Sequence, residues 1–382
     1  MRLYQLLAAS LLGASHSAQS QPATPAAPDT TGLTVALRRL WQGSGLPGFA
    51  VAVVRPDGIA YEHGFGLADK ATRQPYTPAT VQAVGSVSKT LIGVALLQAQ
   101  AEGKLRLDQP VNELLPFAVH NPYFPNQPIT LRHLATMTAG LTDDQAFYNK
   151  HAYTKGYSST LTSAEYLRRT LSRQGEWYSR QRFVPHAPGT YYAYSNESAA
   201  LAALALEKAT GQSYSTYTRQ HILQPLGLAD AGWSHAEVAG APLATLYDQQ
   251  GRPVAPYYTV TYPDGGLWTS THSLARYLHS LLNPAVAGAP LPVAARDSLL
   301  RPQFAASHPP QHLDPAEPNQ GLFWAIRRNG TVGHTGGDAG LSSFLFFDPK
   351  TRVGKIFVTN TELGAATAPQ FKAIWKLLDQ VQ

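Results

Sequence analysis

The sequence predicts a mixed α/β (α+β) fold. An antiparallel sheet flanked by helices is built from both ends of the chain, and an all-helical lobe is inserted between them. Three observations predict this. Strand-length runs rich in β-branched and aromatic residues occur early, at 48–55 and 58–64. They return late, at 322–328, 341–347 and 354–359. The stretch between carries helical patterns and few strand signals. With 382 residues, 44% hydrophobic and 14% charged, the chain can bury a sizeable core. Residues 31–382 are read as one domain, with the α/β lobe at about 31–84 and 265–382 and the helical lobe at about 85–264.

The first thirty residues read differently. Met1-Arg2 is a short positive start, and residues 3–14 are mostly apolar but too few to span a bilayer. Small residues follow at Ser15, Ser17, Ala18 and Ser20. This predicts an export signal over 1–20 and a periplasmic or secreted protein. Residues 21–30 are a Pro/Ala linker with little to pack. No later run is long enough to predict a transmembrane helix.

Residues 31–41 place Leu33, Val35, Leu37, Leu40 and Trp41 in an amphipathic helical pattern. Pro56-Asp57-Gly58 joins the first two strands as a hairpin turn. A small Gly-led turn, Val84-Gly85-Ser86-Val87-Ser88-Lys89, then runs into a segment apolar on nearly every side, 90–101. Such a helix is buried in the middle of a domain. A short helix is expected at 111–115. Another is expected at 129–135, with Thr130 as its N-cap and Gly140 as its stop. Residues 142–190 are rich in Tyr, Ser, Thr and Arg with weak apolar period, and read as an irregular lobe over a site, helical only near 164–174. Further helices are expected at 198–210, ended by Gly211, and at 213–222, 270–282 and 370–381. Residues 302–318 read as a Pro-rich surface loop.

Composition excludes several chemistries. The chain has no Cys, which rules out disulfides, thiolate catalysis and cysteine-zinc sites. Its net charge of +6 comes from scattered basic residues without a Lys/Arg run, so no nucleic-acid partner is expected. No His-Glu-x-x-His run marks a metal hydrolase. The expected partner is a small-molecule or peptide substrate, taken by a monomer.

Three short motifs carry chemistry. Ser86 and Lys89 lie three apart at a helix start and share one face. Burial disfavours a charge on such a lysine, and a neutral amine can take the serine proton. The helix N-terminus offers N–H groups to a developing oxyanion. Tyr194-x-Asn196 follows Pro188-Gly189-Thr190 and precedes a helix. A tyrosine hydroxyl near Ser86 would serve as base or relay, and Asn196 would donate to a substrate amide. His334-Thr335-Gly336-Gly337 stands beside a predicted strand. Its glycines let substrate lie against the backbone, the Gly337 N–H would be a second oxyanion donor, and His334 and Thr335 would orient a carboxylate or carbonyl. Taken singly, each motif reads better as a capped helix, a packed aromatic or a Gly-rich hairpin.

In this order the three resemble the serine β-lactamase and penicillin-binding-protein family, closest to its class C-like branch of β-lactamases, DD-peptidases, D-aminopeptidases and esterases. Leu107-Asp108-Gln109-Pro110-Val111, Ile129-Thr130-Leu131-Arg132-His133-Leu134, Pro225-Leu226-Gly227-Leu228 and Gly265-Gly266-Leu267 look like further landmarks of that family. The resemblance runs from about Leu33 to the C-terminus. It implies an α/β sandwich lobe beside an all-α lobe, with the site at their junction. It also implies an acyl-enzyme on Ser86 with no metal or organic cofactor, proton transfer by Lys89 and Tyr194, and Asn196 and His334 lining the site.

One motif departs from the lactamase pattern. His334 stands where lysine is usual. A histidine is mostly neutral at pH 7 and is expected to gain its proton near pH 6. The departure tilts the expected substrate toward D-amino-acid peptides or short esters, with β-lactams slow. The alternative is a penicillin-binding or sensor module with little turnover.

Overall fold

The computed structural model describes residues 30–381. The export signal expected over 1–20, and all of the 21–30 linker but Thr30, lie outside the described residues.

Among the described residues, eight antiparallel strands form the main sheet. From edge to edge they are Gln74–Pro75, Gly58–Asp69, Gly48–Arg55, Val353–Thr359, Leu341–Asp348, Val332–Asp338, Ala325–Ile326 and Asn319–Gln320. The two halves of the chain meet at the seam between Gly48–Arg55 and Val353–Thr359, in the register Phe49↔Thr359 to Val54↔Gly354. The sheet is therefore built from both ends, as the distribution of strand signals implied.

The seam strand explains its own sequence. It is apolar without interruption from Phe49 to Val54 because both faces are covered. Phe49, Val51 and Val53 point into a cluster with Leu33, Leu37 and Ile374, from helices Thr31–Gln42 and Ala368–Leu377. Ala52 and Val54 point the other way, into the main core with Leu274 and Leu278 of helix Thr271–Leu282. The period-2 alternation of a strand thus sorts one run of residues between two layers.

The central helix, Lys89–Ala101, is buried at ten of its thirteen residues. It packs against helices Asn196–Thr210 and Val293–Leu300. Gly93 lets the chain pass: a Cβ there would stand 2.3 Å from the Leu322 carbonyl oxygen. Among the described residues no helix is long and apolar enough to cross a membrane.

Several local expectations change. The strand expected at 322–328 shrinks to Ala325–Ile326. Leu322, Phe323 and Trp324 are core residues, but their backbones are satisfied elsewhere. Leu322 N donates to Leu299 O and Phe323 N to Ala135 O, and the φ of 60° at Phe323 breaks the extended run. Conversely, the His334 motif is itself a strand, Val332–Asp338, paired along its length with Leu341–Asp348. The helix expected at 129–135 starts at Leu131 with Thr130 as its N-cap, as expected, but it ends at Ala135, since Met137 takes a φ of 56° before Gly140 is reached.

The 142–190 region is the larger correction. It holds helices Gln145–His151 and Ser163–Leu171, and it contributes Tyr148, Tyr166, Leu167, Leu171 and Phe183 to the main core. Its aromatic packing hid the apolar period, because the buried tyrosines keep their hydroxyls bonded. Tyr148 Oη lies 2.6 Å from Thr261 Oγ1 and donates to Asp264 at 2.7 Å, and Tyr166 Oη donates to Glu197 at 2.9 Å.

Candidate active site

Ser86 sits in a single 3₁₀ turn, Gly85–Ser88, that runs directly into the central helix. Two features set this turn. Gly85 takes a φ of 54°, a left-handed conformation that favours glycine. Ser88 Oγ donates to Gly85 O at 2.7 Å and accepts from Leu267 N at 3.1 Å, tying the turn to the 265–267 segment.

The strand Val332–Asp338 lies against this turn. A Cβ on Gly336 would stand 2.1 Å from Val84 O and 3.1 Å from Ser86 N. A Cβ on Gly85 would stand 3.0 Å from Gly337 N. The contact exists only because both residues lack side chains. It brings the backbone nitrogens of Ser86 and Gly337 to one place.

Lys89 is fully buried as the first residue of the central helix. Its Nζ reaches three oxygens: Ser86 Oγ at 2.9 Å, Asn196 Oδ1 at 2.7 Å and Asp264 O at 2.6 Å. Two of these, an amide oxygen and a backbone carbonyl, can only accept. They hold two N–H bonds of the amine, and the third tetrahedral position points at the serine hydroxyl. In the neutral amine that position is the lone pair.

Asn196 is free to make this contact because it is not the helix cap. Ser195 caps helix Asn196–Thr210, accepting from Ser198 N. Asp143 fixes the entry to that helix, accepting from Ser195 Oγ at 2.7 Å and Asn196 N at 2.6 Å.

Tyr194 is 42% exposed, and its ring centroid lies 5.1 Å from Lys89 Nζ. The ring also stands 6.1 Å from that of His334. Among the described residues its hydroxyl makes no hydrogen bond to Ser86 or Lys89. Ser86 opens onto two clefts that share Tyr194 and Gly337. One, of about 280 Å³, is bounded by Met137, Glu317, His334 and Thr335. The other, of about 690 Å³, is bounded by Gln145, Asn149, Asn196 and Asp338.

His334 behaves differently from the expectation that it protonates near pH 6. It is only 8% exposed, its Nδ1 lies 2.5 Å from Thr335 O, and Lys89 is nearby. Burial first, and the lysine charge second, push its pKa down to about 4. The ring is neutral throughout the ordinary working range, with Nδ1–H donated to Thr335 O.

Buried carboxyls surround Lys89, and sequence reasoning missed them. Burial raises the pKa of Asp143, of Asp264 to about 6 and of Asp338, while the Lys89 charge opposes each shift. Glu197, behind Asp143, is pushed up to about 8 by burial and by that neighbouring charge. Asp264 had a signal, since it sits in the Pro263-Asp264-Gly265-Gly266 turn. Asp143 had none: Thr142-Asp143-Asp144 reads as a plain loop or helix cap.

The structure thus brings Ser86, Lys89, Asn196, Gly336 and Gly337 into direct proximity, with Tyr194, His334 and Thr335 on the cleft walls. Comparison with known proteins gives a consistent picture. Protein flp of Staphylococcus aureus (strain MW2) is 24% identical over 332 residues, covering 82% of this chain and 60% of that protein. This chain therefore spans about 60% of the length of the first curated relatives it matches. The octameric penicillin-binding protein homologue from Pyrococcus abyssi superimposes with a TM-score of 0.75 at 23% identity, covering 93% of this chain and 78% of that one. The D-alanine carboxypeptidase AmpC from Burkholderia cenocepacia gives 0.67 at 21% identity, covering 92% and 100%. These two share the fold. The Beta-lactamase family profile matches residues 34–378, nearly the whole described chain, and so the chain belongs to the beta-lactamase family.

Proposed function

We propose that this protein is an exported serine hydrolase that works through an acyl-enzyme on Ser86. It cleaves D-amino-acid peptides or short esters, and β-lactams slowly. The observation that carries the reading is the set of contacts at Lys89 Nζ. Two acceptor-only oxygens fix the amine so that its remaining position faces Ser86 Oγ.

In acylation Ser86 Oγ attacks the substrate carbonyl carbon and gives its proton to the Lys89/Tyr194 pair. The Ser86 and Gly337 N–H groups receive the oxyanion. Collapse breaks the bond to the leaving group, which takes a proton from the Lys89/Tyr194 pair. In deacylation a water attacks the acyl carbon, its proton passes to the same pair, and Ser86 regains a proton as the acid departs. Tyr194 is assigned as the relay at the open side of the cleft, and the Asn196 amide nitrogen faces the substrate. The neutral His334 supports ester and amide substrates over those anchored by a carboxylate, since it offers no cation. Export and a monomeric state belong to this reading. Cell fractionation checks the first and light scattering of the purified protein the second.

A rate panel on the purified protein tests the reading: a chromogenic cephalosporin, p-nitrophenyl acetate and butyrate, and D-Ala peptides. Esters or D-peptides should be turned over faster than the cephalosporin, and Ser86→Ala should remove turnover by several orders of magnitude. Intact mass after a fluorophosphonate should place the adduct on Ser86. An adduct on Ser195, or stoichiometric acylation without turnover, overturns the hydrolase reading, the second in favour of a binding module.

A further inference from the structure

A second cavity, of about 260 Å³, lies beyond the Ser86 clefts. Tyr157, Trp233, Tyr257, Tyr258 and Trp268 line it, and Asp338 closes one side. Among the described residues, Asp338 is the only formally charged one on its wall. The same residue also bounds the larger Ser86 cleft, so the two spaces share it as a wall.

The connection to Ser86 is short. Trp268 pairs with Ala83 in a two-stranded ladder, and Ala83 leads straight into the Gly85–Ser88 turn. Gly336 and Asp338 project on the same face of their strand, and the Gly336 face meets the Ser86 turn. They stand two steps apart along the strand, with Gly337 between them, a distance of about 7 Å. Ser86 and Asp338 also line one cleft, so an acyl group on Ser86 can extend along the strand toward Asp338.

The lining is selective in chemistry. Asp338 is held in place, accepting from Ala339 N at 2.7 Å and from Tyr153 Oη at 3.0 Å. Its pKa is raised by burial, and an incoming cation would reverse that. Tyr157 stands 46% exposed at the mouth, stacked on His235 at 3.9 Å, with the His235 ring edge-on to Trp268 at 5.6 Å. Aromatic faces around a carboxylate favour an organic cation and reject an anion. The volume lies just below the roughly 300–1,000 Å³ of pockets that take whole drug-sized ligands, and so suits one substrate side chain.

We propose that this aromatic cavity is a subsite for an acyl-side substituent that ends in an ammonium group, with Asp338 as its counter-ion. The proposal rests on Ser86 being the acylated residue, and its test separates the two. Three p-nitrophenyl esters are compared: acetate, which does not reach the cavity, 4-ethylphenylacetate, and 4-(aminomethyl)phenylacetate. The ammonium ester should exceed its neutral isostere in kcat/KM by about tenfold. Asp338→Asn should bring that ratio close to one, and Tyr157→Ala should lower both aryl esters relative to acetate. Binding is read independently of hydrolysis by calorimetry, with 4-methylbenzylamine against 4-methylbenzyl alcohol. The amine should bind more tightly, and Asp338→Asn should abolish the difference. If acetate is turned over but the ammonium ester has no advantage, or if amine and alcohol bind alike, the subsite is wrong and the hydrolase reading stands. If acetate neither reacts nor labels Ser86, the hydrolase reading falls, and the calorimetric comparison still decides the subsite.

Discussion

The buried histidine gives a sharp test. Holding the His334 pKa at about 4 instead of 6.5 opposes its protonation by about 3 kcal/mol, at 1.36 kcal/mol per pH unit. At pH 6 only about one molecule in a hundred would then carry the charge, where an unperturbed histidine would be about three-quarters protonated. The KM for a carboxylate-bearing substrate should therefore stay flat from pH 8 to about 5.5, instead of falling as the pH approaches 6. The sign of the stability effect follows from the same shift. Between pH 6.5 and 4 the unfolded chain binds the proton and the folded chain does not, so the stabilising contribution of the neutral ring is lost as pH falls through that window. His334→Gln should flatten that acid limb of a urea-melt series. His334→Lys should supply a fixed cation and lower KM for carboxylate substrates. NMR titration of the imidazole, with His334→Gln giving the assignment, reads the pKa directly. A His334 midpoint between pH 6 and 7 would refute the argument.

The two glycines of the substrate strand should separate cleanly. Gly336→Ala meets the Val84 carbonyl oxygen at 2.1 Å and should shift the Ser86 turn, costing about 100-fold or more in kcat, while Gly337→Ala meets nothing within 4 Å and should leave the melting temperature unchanged. Equal thermal stability and activity for the Gly336→Ala protein would sink this reading. Lys89→Ala should abolish acylation, and Lys89→Ala/Tyr194→Phe should lose little more than the worse single variant; losses that simply multiply would show that the two do not act as one unit. Glu197, pushed up to about 8, contributes stability that is present below its unfolded value of 4.5 and is lost as pH rises from there through about 8, so Glu197→Gln should flatten that decline between pH 4.5 and 8 in equilibrium melts.

Much of this protein was legible from residue types and spacing alone. The seam strand announced itself as an unbroken apolar run, the central helix as a segment apolar on every side, and Ser86 and Lys89 as one helical face. These are local properties: strand period, helix period and cap chemistry act between residues close in sequence. Even the split sheet followed, because strand signals stood only at the two ends of the chain. Other features depended on residues far apart. The buried character of the 142–190 region was hidden because tyrosines satisfied their hydroxyls on Thr261, Asp264 and Glu197, partners that only folding supplies. The state of His334 was misjudged because a pKa is set by desolvation and by Lys89, which lies 245 residues away in sequence and beside it in space. The acceptors that aim the Lys89 amine at Ser86 come from Asn196 and from the Asp264 backbone, and no motif spacing encodes that meeting. Periodicity shows which residues are buried. Burial and charge around a titratable group arise only when distant segments close over it, and that closure decided the chemistry of this site.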